Sequence, residues 1–359
     1  MINQESIETI DIEIKKELVA HLVIKVLYNR FLSFPQNDGT VVRNAPFHEA
    51  FLNAFSNKID SKSGFDNIPF LISLSSWLHG LNTTLGQTFF EGTAHILSDG
   101  IKRTFNSNDF FVFEEQKKEV HEIITDLKNG TCLPDLDSEN ERILKRNERT
   151  TKTSITGFTV DVLFEDEEKI CAIEMKSVRP NSGEIKGEKT KILEAKAALK
   201  NKFPNKKIHY FMGFPFDPTS DNPTGSDKSK FLDYLIEAKK FLDPKEILIA
   251  DELWRFLSNG KINMLNILNI INDIATPDFM KNYQIINNTD DDCHKAEIFD
   301  SWNLKTEKEL LLLKGEMQKN TLFFNEFKRA IYAPPFKANA EYNSKKFLVL
   351  KEWEKLQRS

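Results

Sequence analysis

Two carboxylates, Asp161 and Glu174, and one lysine, Lys176, lie inside the apolar runs GFTVDVLF and KICAIEMKSV. A charge among apolar strand residues is costly unless it is paired or bound to an ion. Two carboxylates on neighbouring strands suit a hard divalent cation, which takes oxygen ligands and leaves positions for water and a phosphate. The main-chain carbonyl of Met175 offers a further oxygen. A lysine beside such an ion can orient or deprotonate a water, or neutralise charge developing on phosphoryl oxygens. The chemistry open to this set is metal-assisted hydrolysis of a phosphodiester. A buried ion pair of Glu174 with Lys176 or Asp161 is the purely structural alternative.

Geometry decides between them, and the two runs read as a β-hairpin around EDEE. Side chains alternate faces along a strand, so Glu174 and Lys176 share one. With Glu165 to Glu168 as the turn, Phe164 pairs with Lys169 and Asp161 faces Ala172. Asp161 then joins the face of Glu174 and Lys176, with Glu174 as its diagonal neighbour. A turn of odd length would send Asp161 to the other side.

Other elements must hold this hairpin. Apolar spacing predicts a helix over 13–32 with Ile14, Leu18, Leu22, Val26 and Leu32 on its inner stripe. A second helix is expected from Pro46, with Phe47, Ala50, Phe51, Ala54 and Phe55 inward, followed by a polar loop at 60–69. Helices are expected over roughly 84–104 and 111–128, and a loop over 130–154. After the hairpin come a helix at 184–202, a strand at 206–214, a turn-rich loop at 217–229, a helix at 230–241 and a short strand, EILIA. Helices dominate from 251 onward. The expected fold is α/β, a mixed sheet flanked by helices. It divides into an N-terminal helical region 1–80, a core 81–250 and a mainly helical region 251–359.

Between Lys176 and Lys207 stand ten Lys or Arg against three Glu, in a chain of net charge -5. Such a run is either a solvated helix surface or a track for a nucleic-acid backbone. Lys189, Lys196 and Lys200 fall near one helical face. The overall acidity excludes a protein that coats DNA by bulk charge. Three scattered cysteines, without a CxxC, argue against a disulfide framework and a structural zinc, and suit a reducing compartment. The polar, acidic N-terminus is unlike a signal peptide, and no apolar run approaches a membrane span. A cytoplasmic location with no membrane partner is expected. No phosphate-binding GxxxxGK[ST] loop occurs, so ATP-driven action is not expected. Asp290, Asp291 and Asp292 read as a solvated acidic turn.

With Val160-Asp161 and Glu174-Met175-Lys176, the hairpin resembles that of the PD-(D/E)xK nuclease superfamily, with Val in place of the first Pro. RNAPFHEAFL at 43–52, LNTTLGQTFFEGTAHILS at 81–98 and the run from GFTVDVLF through IEMKSVRPNSGEIKGEK are similar to type II restriction endonucleases of the TdeIII-like group. That resemblance implies a restriction-endonuclease-like fold and a Mg²⁺ cofactor. It also implies double-stranded DNA as substrate, a short near-palindromic site of the GGNCC kind, and a homodimer in which each subunit cuts one strand. It makes Asp161, Glu174 and Lys176 catalytic. Metal ligation falls to Asp161, Glu174 and Met175, with Glu91 acting directly or through water. Arg43, Arg179, Asn181, Lys186 and Lys189 become candidate DNA contacts. The rival readings are a repair or structure-specific nuclease of the same fold and a non-catalytic DNA-binding protein.

Overall fold

The structure is a computed structural model that describes residues 4–35, 52, 68–106, 110–145, 150–176 and 182–358. The helix expected from Pro46, most of the 60–69 loop, Arg43, Arg179 and Asn181 lie outside these residues. The chain forms two compact units, Met1–Phe89 with Asn269–Ser359, and Phe90–Leu268. The expected core at 81–250 falls mostly within the second unit. Most of the two terminal regions belongs to the first.

Five strands of the second unit make one mixed sheet in the order β1-β4-β5-β6-β7. They are β1 (Ile101–Phe105), β4 (Phe158–Glu165), β5 (Lys169–Met175), β6 (Lys207–Phe214) and β7 (Ile247–Ile249), while β2 (Phe111–Phe113) and β3 (Lys152–Ser154) form a separate pair. β1 pairs with β4, and β4 with β5, antiparallel, whereas β5, β6 and β7 run parallel to one another. Val160, Val162, Ala172 and Ile173 are completely buried. β-Branched residues dominate this centre because they fit a pleated, packed surface.

The hairpin turn is tighter than the residues suggested. Phe164 faces Cys171 and Glu165 faces Ile170, a register two residues from the expected one. Asp166 closes the turn, its Oδ1 accepting from the main-chain N–H groups of Glu168 and Lys169, both at 2.9 Å. This Asx arrangement lets Asp serve as the first residue of a short turn. A slip of two preserves every side chain's face, so the expected face-sharing survives although the predicted pairs do not.

Three expectations fail locally. The helix predicted over 84–104 ends at Ser98, and Ile101–Phe105 is strand β1. The 130–154 segment is not all loop, for Leu136–Ile143 is a helix whose N-cap Asp135 accepts from Ser138 N at 2.7 Å. The helix predicted over 230–241 breaks into Lys228–Tyr234 and Ala238–Phe241.

In the first unit the helix expected over 13–32 forms and begins earlier, spanning Gln4–Leu32, but of the expected inner stripe only Val26 is buried. Val19, Ala20, Val23, Ile24 and Val26 are buried, while Ile14 and Leu32 are exposed. The buried face also carries Glu17 and His21, which a count of apolar residues rejects. Glu17 is accommodated because its carboxylate accepts from Thr306 N at 3.0 Å and Thr306 Oγ1 at 2.9 Å. Burial nevertheless pushes the Glu17 carboxyl from its ordinary 4.5 up to about 7, with the Glu307 charge adding to the rise and the Thr306 bonds opposing it. A raised folded-state value makes the protonated acid the favoured buried form. Its contribution to stability is therefore complete below pH 4.5 and disappears as pH climbs through about 7. Denaturant unfolding at pH 5 and pH 8 should show the wild type losing about 2 kcal/mol more than Glu17→Gln over that interval. Parallel pH dependences would refute this assignment.

Candidate active site

The site assembles at the end of β5 and lies wholly within the Phe90–Leu268 unit. β4 delivers Asp161, whose Oδ2 accepts from Met175 N at 3.0 Å. That bond ties the carboxylate directly to the strand carrying Glu174 and Lys176. His95, from the helix Glu91–Ser98, holds the same stretch of β4, its Nε2 donating to the Asp161 carbonyl at 2.7 Å. β6 supports the other side: the Gly213 carbonyl accepts from Lys176 N at 2.9 Å.

The three predicted catalytic side chains come together, joined by four more. Lys176 Nζ lies 3.2 Å from Glu174 Oε1 and 2.8 Å from Glu188 Oε1. Glu188 stands on the helix Ser182–Lys202, and one turn further Lys191 Nζ reaches Glu174 Oε2 at 2.7 Å. On the opposite side Lys102 of β1 bridges Glu91 Oε2 at 2.9 Å and Asp161 Oδ1 at 3.1 Å. Glu91 is thus brought to Asp161 through a lysine. Spacing alone missed Lys102 because its strand was read as helix. Glu188 was passed over as one charge in a charged helix, although Glu188 and Lys191, three residues apart, form a recognisable same-face pair.

The electrostatics follow from burial. Glu174 is nearly enclosed, its side chain 9% exposed. Burial raises its carboxyl above the usual range, the neighbouring Asp161 charge raises it further, and Lys191 and Lys176 pull it back. Burial by itself would depress the Lys176 ammonium, but Glu188 and Glu174 outweigh that and leave it raised. Lys176 is therefore a charged ammonium here.

Among the described residues no three His, Cys, Asp or Glu side chains surround a common point suited to a metal. The donor set that exists is a pair of carboxylates, Asp161 and Glu174, close enough for one charge to disturb the other. Such a pair fits Mg²⁺, which is commonly held by one or two carboxylates and keeps water and phosphate for the rest of its shell.

The basic run is divided. Lys189 is fully buried, with Nζ 2.5 Å from both Glu139 and Glu246. It is not available to DNA, and the expectation that it contacts the backbone is withdrawn. Lys196, one more face-length along the helix, is also buried, and burial lowers its ammonium to about 8 despite the nearby Glu246. Lys189 ties the helix Ser182–Lys202 to the helix Leu136–Ile143 and the turn at 243–246, whereas the buried Lys196 Nζ makes no hydrogen bond among the described residues; a buried charge is costly without such partners. Lys186, on the same helix, is half-buried.

No helix among the described residues is long and apolar enough to cross a membrane. No solved structure matches the chain. The chain is 42% identical to the type II restriction enzyme MjaII of Methanocaldococcus jannaschii, an alignment of 369 positions covering 94% of this chain and 97% of that protein. The family model for the HinfI type II restriction endonucleases matches residues 10–275, running through both the N-terminal helix and the hairpin. The resemblance to restriction endonucleases thus holds under a different family label from the TdeIII-like one, and the chain belongs to the HinfI family of type II restriction endonucleases.

Proposed function

We propose that this restriction endonuclease cuts both strands of double-stranded DNA at a short near-palindromic site, using Mg²⁺ held by Asp161 and Glu174. The observation that carries the residue assignment is the convergence of Asp161, Glu174 and Lys176 at the end of β5, with Asp161 bonded to the main chain between the other two. When bound, the ion would polarise the phosphate and acidify a water. The protein's own part is to aim and hold. Asp161 and Glu174 fix the position of the cation, with the Met175 carbonyl as a further oxygen and Glu91 acting directly or through water. Lys176, steadied by Glu188, presents a positive charge to the phosphate as negative charge grows on its oxygens. Water adds to phosphorus in line with the departing 3′ oxygen, which takes up a proton, leaving 5′-phosphate and 3′-hydroxyl ends.

Arg43, Arg179 and Asn181 are assigned to DNA contacts on the strength of the resemblance, and Lys186 by its place on the helix that follows the catalytic strand. An arginine bonded to guanine O6 and N7 is the commonest specific contact. A GGNCC-like site is the specific form implied by the TdeIII-like resemblance. A homodimer suits it, because a twofold axis places one active unit on each strand. We assign the enzyme to the cytoplasm.

Incubating a plasmid with the protein and Mg²⁺, then sequencing the ends, tests activity, site and stagger together. Discrete fragments with one recurrent palindromic end are expected, and none in EDTA. Nicks or trimming confined to junctions, flaps or free ends would instead indicate a structure-specific nuclease. Full cleavage in EDTA would remove the metal from the mechanism.

A further inference from the structure

The carboxylates assigned to the metal are already engaged. Glu174 gives one oxygen to Lys176 and the other to Lys191. Asp161 gives one to Lys102 and the other to Met175 N. Glu91 shares Lys102 with Asp161. A divalent ion entering this arrangement meets three ammonium groups and must displace at least one. The three are not equally free to leave. Lys176 is held by both Glu174 and Glu188 at hydrogen-bonding distance. Lys191 has one short contact, to Glu174, and a looser one of 3.6 Å to Glu188. Lys102 has two carboxylate partners as well, Glu91 at 2.9 Å and Asp161 at 3.1 Å, but it comes from outside the hairpin and its side chain is 49% exposed, against 24% for Lys176. Lys102 and Lys191 sit on flexible four-carbon stems beside the carboxylates assigned to the metal, and an ammonium is a strong phosphate partner.

We propose that Lys102 and Lys191 are counter-ions that occupy the metal-binding carboxylates of the free enzyme and move to DNA phosphate on binding, so that substrate and divalent ion enter together. This rests on the nuclease reading of Asp161 and Glu174. It explains an otherwise awkward choice of residues, since lysines placed against metal ligands weaken metal binding unless something draws them away. It also separates the lysines by role: Lys176 stays with the site through Glu188, while the other two exchange partners. Coupling of this kind is reciprocal, so DNA must tighten the ion by the same factor as the ion tightens DNA.

Calorimetric titration of the full-length protein with Ca²⁺ tests the proposal through binding rather than cleavage. Without DNA the wild type should bind Ca²⁺ weakly. Lys191→Met and Lys102→Met should each bind about tenfold more tightly, and the double variant more tightly still, because repulsion is removed and the carboxylates are released. Lys191→Arg, which keeps the charge, should resemble the wild type. A duplex bearing the sequence found at the cleaved ends should tighten Ca²⁺ binding to the wild type strongly and to the double variant little. Thermal melting in Ca²⁺ confirms folding of each variant, and Lys102→Met with Lys191→Arg still decides the matter if Lys191→Met does not fold. Methionine variants that bind Ca²⁺ no better than the wild type, while Asp161→Asn abolishes binding, would overturn the counter-ion role and leave the nuclease reading intact. Ca²⁺ binding to the double variant that is indifferent to both Asp161→Asn and Glu174→Gln would overturn the proposal together with that reading.

Discussion

Glu174→Gln is expected to lower the rate of DNA cleavage in Mg²⁺ at least about 1,000-fold, equivalent to roughly 4 kcal/mol of transition-state stabilisation. The amide keeps the shape of the carboxylate but not its charge. One of two anionic ligands is lost, and Lys191 and Lys176, at 2.7 and 3.2 Å, lose their partner at the same time. Asp161→Asn should fall by a similar factor for a related reason, since the amide oxygen can still accept from Met175 N but no longer attracts a cation. Single-turnover cleavage measures the effect, and fluorescence anisotropy with labelled duplex shows whether DNA is still bound. Either variant cutting within tenfold of the wild-type rate would show that its side chain does not hold the ion.

The second large effect is expected at a residue with no chemistry. Gly213 of β6 lies beside β5, and a Cβ there would stand 2.8 Å from Ile173 Cγ2 and 3.0 Å from Met175 Sδ, with Leu253 Cδ1 at 3.2 Å. The first neighbour is a completely buried side chain, so the crowding cannot be relieved by a swing into solvent. Overpacking of a tight core costs about 1–3 kcal/mol, and Gly213→Ala should lie near the upper end. It should also slow cleavage by more than its stability loss explains, because the Gly213 carbonyl anchors Lys176 N at 2.9 Å and displaced strands misaim Lys176. Urea unfolding and single-turnover rates at a temperature where the variant is fully folded separate the two effects. The contrast is Gly187, in the helix Ser182–Lys202, where an added Cβ meets nothing within 4 Å. Gly187→Ala should stabilise the protein by up to about 1 kcal/mol, since alanine is the better helix former. Equal responses at the two glycines would refute the steric argument.

The hairpin shows how far local pattern reaches. Alternation places Glu174 and Lys176 on one face without any knowledge of the fold, and an even slip in register does no harm to that deduction. The exact pairs were wrong because Asp166 caps its own turn and shortens it by two residues. Strand β1 was hidden because Ile101 to Phe105 continues an apolar spacing compatible with the preceding helix, and only pairing with β4 decides for strand. The inner stripe of the first helix was misplaced for a complementary reason. Apolar counting cannot anticipate that Thr306, nearly 300 positions away, supplies the bonds that let Glu17 be buried.

Residue types and their alternation determined, without coordinates, that Glu174 and Lys176 share a strand face suited to cation and phosphate chemistry, with Asp161 joining them only if the turn between the strands was of even length. Tertiary structure alone decided which charges surround them: Lys102, Glu188 and Lys191 as partners within the site, and Lys189 sealed against Glu139 and Glu246 away from it. The physical reason is that a charge's role depends on its desolvation and its nearest opposite charge. Both are set by where the chain returns, and the period of a single helix or strand carries no record of that.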